Sequence, residues 1–363
     1  MIPYYVLLLM PLAYSIYSKK GIISIVNGYR TRKTYITIGI FFCIFTIILM
    51  LRSNTCGVDM PHYEYFFNND INLSFGEIVR RYNLEIGFHI FNKLIALVST
   101  SFQFYTAVVA LVCMIPLWIL YAKNTDLPYL SISVFMTVAP FSLYFSGLRQ
   151  ALAISTVPLA YHFIKNKRFV PFILLVMFGS LFHQSAIIMI LMYPVYWAKF
   201  TKRWLWFIPP AIAIILFFNS RIYAFIAPFM GERYYERYGE VTSTGAYAIV
   251  ALLFMFIIYA SLIMDNEKID EDVQGLRNLL FLSTALQCFA PVNTIAMRMN
   301  YYSLILVPIM ISKVPTRAKT QYRQAAYASY IIMCVFFVIY YFYSATTGSD
   351  IMQIYPYVPF WAD

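Results

Sequence analysis

Residues 51–98 read LRSNTCGVDMPHYEYFFNNDINLSFGEIVRRYNLEIGFHIFNKLIALV, and how they are interpreted decides the fold. Apolar runs at 34–51 and 102–121 flank them. Each run is close to the roughly 20 residues that a helix needs to cross the hydrocarbon of a bilayer. Between the runs, Arg52, Asp59, His62, Glu64, Glu77, Arg80, Arg81 and Glu85 fall within a few dozen positions. Charge is costly in lipid, so this density beside two crossings marks a polar loop at a membrane surface with a reason to exist.

The remaining composition agrees. Hydrophobic residues make up 61% of the 363 and charged residues 12%, with a mean hydropathy of +0.68. A soluble chain has too little interior to hide that much apolar surface. The net charge of +11 does not point to nucleic acid, because basic residues of membrane proteins collect in cytoplasmic loops. Cys43, Cys56, Cys113, Cys288 and Cys334 show no paired spacing, and four of them sit in apolar runs as small hydrophobes. Only Cys56 is expected to meet the outer compartment, so no disulfide framework is implied. The first residues, MIPYYVLLLMPLAYSIYSKK, lack a basic leader region and read as a first transmembrane helix.

Further apolar runs occupy 3–17, 127–145, 147–164, 204–219, 245–264, 275–292, 298–312 and 325–344. Residues 169–197 are too long for one crossing and are broken at Gly179 and His183–Ser185, which predicts a helical hairpin with His183 at its tip. The expectation is an all-α polytopic integral membrane protein forming one membrane domain over 1–363, with about 12 transmembrane helices (10–14). Segments 75–99 are then surface-lying or re-entrant helices in a first outer loop, 52–101, and residues 220–244 form a second.

Lys and Arg set the orientation. SKKGIISIVNGYRTRK, KNKR, KFTKR and SKVPTRAKTQYR are basic and cytoplasmic, which places both ends of the chain and the two loops outside. Eighteen of the 27 basic residues fall inside, eleven of them Lys, whereas eight of the nine outside are Arg. A guanidinium grips phosphate or carboxylate bidentately, so an Arg-rich outer face suggests an anionic ligand.

Several residues are candidates for chemistry. Asp59 precedes Met-Pro and makes a good helix cap. It is also the first candidate for a general base, with His62 and Tyr63 a turn away. Glu85 stands where apolar residues begin, and desolvation there is expected to raise its pKa, as acid–base work requires. Arg149 with Gln150, and Arg298 with Tyr301 and Tyr302 on its face, sit at the edges of apolar helices and suit a diphosphate clamp. His183 is flanked by polar groups within an apolar run, whereas His89 and His162 suit packing. No histidine or cysteine spacing suits zinc, and no phosphate-binding glycine loop occurs, so neither metal nor cofactor is expected. The tyrosine-rich loop GERYYERYGE (231–240) suits interfacial anchoring first, and stacking on sugar rings second.

R-x-x-x-x-G-x-D-x-x-x-Y (Arg52–Tyr63), E-x-G (Glu85–Gly87), G-L-R-Q-A (147–151), F-H-Q-S-A (182–186) and R-x-x-Y-Y (Arg298–Tyr302) follow one another in this order. The series resembles the EpsG family of bacterial surface-polysaccharide polymerases, a Wzy-type group, over about 40–310. The layout also resembles membrane glycosyltransferases of the GT-C type, a likeness of fold alone. The resemblance implies a multi-pass enzyme of the bacterial plasma (inner) membrane that joins undecaprenyl-diphosphate-linked repeat units of O-antigen, capsule or exopolysaccharide. Its active site would face the periplasm or cell exterior. Asp59, Glu85 and His183 would be catalytic, and Arg52, Tyr63, Arg149, Gln150, Arg298 and Tyr302 would hold the diphosphate and sugar. The bilayer and a chain-length regulator are the other implied partners. The alternatives are a flippase of lipid-linked oligosaccharide and a membrane acyltransferase that modifies surface glycan. A flippase should carry charge through the midplane in two similar halves, which this chain lacks.

Overall fold

The structure, a computed structural model, describes residues 1–17, 32–82, 85–138, 140–199, 204–226, 245–265, 269–292, 294–347 and 352–362, and among these it is helical with no strand beyond isolated bridges. The helices before the polar loop are α1 (Ile2–Tyr17) and α2 (Arg32–Leu51). Within the loop lie α3 (Met60–Asn72), α4 (Phe75–Arg81) and α5 (Ile86–Ala96). Then follow α6 (Phe102–Asn124), α7 (Pro128–Thr137), α8 (Leu143–Ser146), α9 (Leu148–Ile154), α10 (Val157–Lys165) and α11 (Phe169–Ser180). A 3-10 segment, Gln184–Leu191, leads to α12 (Met192–Trp197), α13 (Trp204–Ile226), α14 (Gly245–Ile263), α15 (Glu271–Gln287), α16 (Thr294–Leu304), α17 (Val307–Lys313) and α18 (Arg323–Thr347).

Among the described residues, five helical stretches are long and apolar enough to cross a membrane: Arg32–Leu51, Phe102–Asn124, Phe207–Phe225, Gly245–Ile263 and Thr320–Thr347. Shorter apolar helices accompany them, so the protein is a polytopic helical membrane protein, but the structure does not carry the expected count of twelve crossings. The runs 127–145 and 147–164, each expected to cross once, are instead divided into α7 to α10. Pro158, near the start of α10, has no N–H to continue a preceding helix, and Gly147 separates α8 from α9.

The loop helices behave as expected in one respect. At 13, 7 and 11 residues, α3, α4 and α5 are too short to cross hydrocarbon about 30 Å thick at about 1.5 Å per residue. A reciprocal cap starts α4. The Glu77 N–H donates to Ser74 Oγ (3.3 Å), and the Glu77 carboxylate accepts from the Ser74 N–H (2.7 Å).

The described residues form two compact units, 1–187 with 328–363, and 188–327. In the first, α2 packs on α6 and α1, α3 packs on α5, and an aromatic cluster fills the centre. Phe45 stacks on Phe141 (4.7 Å), Phe135 meets both edge-on (6.3 and 6.2 Å), and Tyr144 meets Phe45 edge-on (6.1 Å) and stacks on Phe135 (6.5 Å). In the second unit, α15 is central, against α12, α14, α16 and α17. Gly275 lies so close to the Tyr196 ring that a Cβ there would fall 2.2 Å from it.

Arg52 is 2% exposed. Its Nη1 donates to the Tyr144 carbonyl (2.6 Å), and its guanidinium lies 5.8 Å from the Phe145 ring centroid. Burial pushes its pKa down to about 10. One nitrogen of this guanidinium, expected to hold a diphosphate, instead holds the Tyr144 carbonyl against the loop. Cys56, expected to face the outer compartment, is also buried.

Candidate active site

The site in the first unit is built around Glu85. This residue starts α5 in the left-handed region (φ 54°), where a side chain is strained, and its carboxylate makes no cap bond. The carboxylate is instead turned inward and 8% of the residue is exposed. Oε2 accepts from Arg149 Nη1 at 2.5 Å, and Oε1 accepts from His183 Nδ1 at 2.5 Å and from the Gln184 N–H at 3.3 Å. Gly87 makes this reach feasible, because its N–H bonds the Leu181 carbonyl (2.9 Å) and a Cβ on it would lie 2.7 Å from Leu181 Cβ. The E-x-G spacing is thus a side chain and the close approach that aims it.

The expected direction of the Glu85 pKa is corrected. Burial does push it upward, but the His183 hydrogen bond and charge and the Arg149 charge outweigh burial and hold it below the ordinary carboxylate value. Glu85 is held ionised between the Arg149 guanidinium and the His183 ring, which suits it to fixing them rather than to taking up a proton. Among the described residues, His183 Nε2 has no hydrogen-bond partner, so the nitrogen opposite Glu85 is the one available for chemistry.

Arg149 connects Glu85 to the start of α3. Its side chain is 37% exposed, and the guanidinium lies about 6 Å from the centroids of Phe66 and Phe88. Its charge acts on the hydroxyl of buried Tyr63, which also senses Asp59. Burial, first, and Asp59 push the Tyr63 pKa up, so the phenol stays protonated at neutral pH. Asp59 is in the cap position of α3, as its sequence predicts, but its side chain makes no cap bond. Ser146 takes it: the hydroxyl donates to Asp59 Oδ2 (3.1 Å) and accepts from the Asp59 N–H (3.0 Å). His62 points to solvent and does not join the group. Buried Gln150 follows Arg149 on α9.

Glu85 therefore joins Arg149 and His183 directly, and Tyr63 and Asp59 lie within electrostatic reach on the Arg149 side. Arg298, half-buried, and Tyr302, buried, belong to the second unit, so their convergence with this group is carried forward as a proposal. The 231–240 loop lies outside the described residues.

Two supporting residues escaped the sequence. Ser146 carried no signal of its own. Asp70, wholly buried, accepts from His89 Nδ1 and Asn92 Nδ2, each at 2.8 Å, while Tyr82 stacks flat on His89 at 3.4 Å. His89 also meets Phe66 and Phe88, the rings under Arg149. The i, i+3 spacing of His89 and Asn92 was the available sign of a shared acceptor. Asp70→Ala is expected to lower the stability of the detergent-solubilised protein by about 3 kcal/mol, because it strands two buried donors. An unchanged thermal transition would refute this.

The EpsG family model matches residues 35–358 of the chain. No curated protein and no solved structure matches it.

Proposed function

The chain belongs to the EpsG family, which points to a membrane polymerase of glycan repeat units, and from this premise we propose that it joins repeat units carried on undecaprenyl diphosphate at the outer face of the bacterial plasma membrane. The observation that carries the reading is the Glu85-centred contact between Arg149 and His183, with Asp59 and Tyr63 adjoining.

In the proposed reaction a hydroxyl of the incoming unit attacks the anomeric carbon of the growing chain. Asp59 takes the hydroxyl proton as a new C–O bond forms, and the bond from the anomeric carbon to the lipid diphosphate breaks with its electron pair on phosphate. Negative charge grows on the diphosphate, so a positioned guanidinium stabilises the transition state more than the ground state. Arg149 supplies it, kept in place by Glu85. His183, in its protonated form, donates a hydrogen bond from Nε2 to the leaving group while Nδ1 stays on Glu85. Arg298 is proposed as the second arm of the clamp, with Tyr302 behind it and Gln150 beside Arg149. Arg52 holds the 144–145 turn and acts at a distance. About twelve crossings and a GT-C-like layout remain part of this proposal.

Asp59→Asn, Arg149→Ala and Arg298→Ala are each expected to insert normally and to lower polymer formation at least about a hundredfold, by about 3 kcal/mol. The readout is the glycan ladder of a strain lacking the wild-type protein. Single-unit products in that strain support a polymerase. Absence of any surface unit would instead indicate a flippase, and an altered modification an acyltransferase. Normal ladders from all three variants would end the assignment.

A further inference from the structure

Residues 352–360 follow the last helix, contain none of the motifs above and contribute nothing to the proposed chemistry. They nevertheless lie along the loop that carries Asp59. The Phe360 N–H donates to the Leu51 carbonyl (2.9 Å), and the Ser53 N–H to that of Val358 (2.8 Å). Further on, the Gly57 N–H donates to the Gln353 carbonyl and the Val58 N–H to that of Met352, both at 2.9 Å. Tyr357 donates its hydroxyl to the Ile48 carbonyl (2.9 Å), and Tyr4 to that of Ile354 (2.5 Å). The Tyr4 ring rests on Tyr355 (4.9 Å) and Tyr357 (6.4 Å). Cys56, 1% exposed, lies in this part of the loop and feels Tyr357 electrostatically.

Gly57 and Val58 directly precede Asp59, and the next N–H, that of Asp59 itself, goes to Ser146. Three successive N–H groups are therefore satisfied from two sides, by the 352–353 carbonyls and by α8. Satisfied buried main-chain groups of this kind leave a segment little freedom to shift. The family match also runs past the end of α18 at Thr347 to residue 358, and so covers 352–358 of this segment.

We propose that residues 352–360 are a positioning strap of the active site, which sets the main chain of Asp59 from the side opposite Ser146. The proposal rests on the reading of Asp59 as the base. If the segment only anchored α18, removing it would change how much protein is inserted but not the activity of each inserted molecule.

The test uses the full-length protein in native membranes, with a membrane-impermeant maleimide as the probe of Cys56. Ending the chain at Thr347 is expected to make Cys56 react at least about tenfold faster, because the loop is uncovered. Polymer per inserted molecule should fall about a hundredfold, as misplacement of a catalytic group by about 1 Å does. Met352→Ala and Gln353→Ala should change neither readout, because carbonyls make the bonds. In a Cys56→Ser background, Val58→Cys with Met352→Cys should crosslink on oxidation and keep the chain length normal.

Wild-type polymer per inserted molecule after truncation would overturn the proposal, and so would failure of the pair to crosslink in membranes that make polymer. If the truncated chain does not insert, the crosslinked pair decides. Polymer made with the strap covalently docked supports the proposal, and its loss on crosslinking refutes it. A wild-type protein that restores no polymer would sink the polymerase reading instead, and the Cys56 and crosslinking results would still judge the strap.

Discussion

Glu85→Gln is expected to insert and fold yet lose chain elongation by at least about a hundredfold, the scale at which removing one group that stabilises developing charge is felt. The carboxylate accepts from Arg149 on one oxygen and from His183 on the other. A carboxamide can accept on one side only, and its NH2 must then face an N–H donor on the other. Arg149 loses its fixed contact, and His183 loses the partner that orients its ring. Glu85→Asp, which keeps the charge with a shorter reach, should retain part of the activity. Because the residues act as a unit, Glu85→Gln combined with Arg149→Ala should be little worse than either alone. Additive losses in glycan-ladder assays would show that the contact is incidental.

The same contact has a pH signature. The Glu85 pKa is lowered in the folded protein. The stability it contributes is therefore fully present above the ordinary carboxylate range and is lost as the pH falls through the lowered value. The wild-type ladder should stay constant from neutral to mildly acidic pH as far as Glu85 is concerned.

Gly57→Ala should be the most damaging small substitution in the loop. Gly57 has φ 126°, a conformation that L residues rarely adopt, and a Cβ there would lie 2.1 Å from the Phe145 carbonyl oxygen. That oxygen is main chain and cannot swing aside. Its segment is held by the Arg52–Tyr144 bond on one side and by the Ser146–Asp59 pair on the other. Strain and overlap together are expected to destabilise the protein by about 4 kcal/mol, the far end of what single substitutions do. Folded protein extracted from membranes should fall sharply. Gly76→Ala is the control, because a Cβ there meets nothing nearer than Arg80 Nη2 at 3.8 Å. Equal yields from both variants would show that the Gly57 conformation is dispensable.

Much of this was legible from residues alone. Hydropathy over about 20 residues is a local sum, so the membrane class and the principal crossings follow directly from composition along the chain. The start of α3 at Asp59, the break around His183 and the shortness of the loop helices are likewise local, set by proline, glycine and capping groups. Motif order led to the family. Candidate residues could be named because charge beside lipid is costly wherever it stands.

Contacts between distant positions were not legible. Glu85 meets Arg149 across 64 positions and His183 across 98, and which oxygen faces which donor depends on how closely Gly87 lies to Leu181. That geometry reversed the expected shift in the Glu85 pKa, since burial and neighbouring charge oppose each other and only coordinates weigh them. It also buried Arg52 against the Tyr144 carbonyl, drew Ser146 to Asp59, and laid residues 352–360 along the loop. The sequence by itself determined that this is a helical membrane protein of the EpsG family carrying a charged loop, because those properties add up residue by residue. Only the tertiary structure decided which charges pair and which are buried, because Coulomb and desolvation terms depend on separations in space that the chain order does not encode.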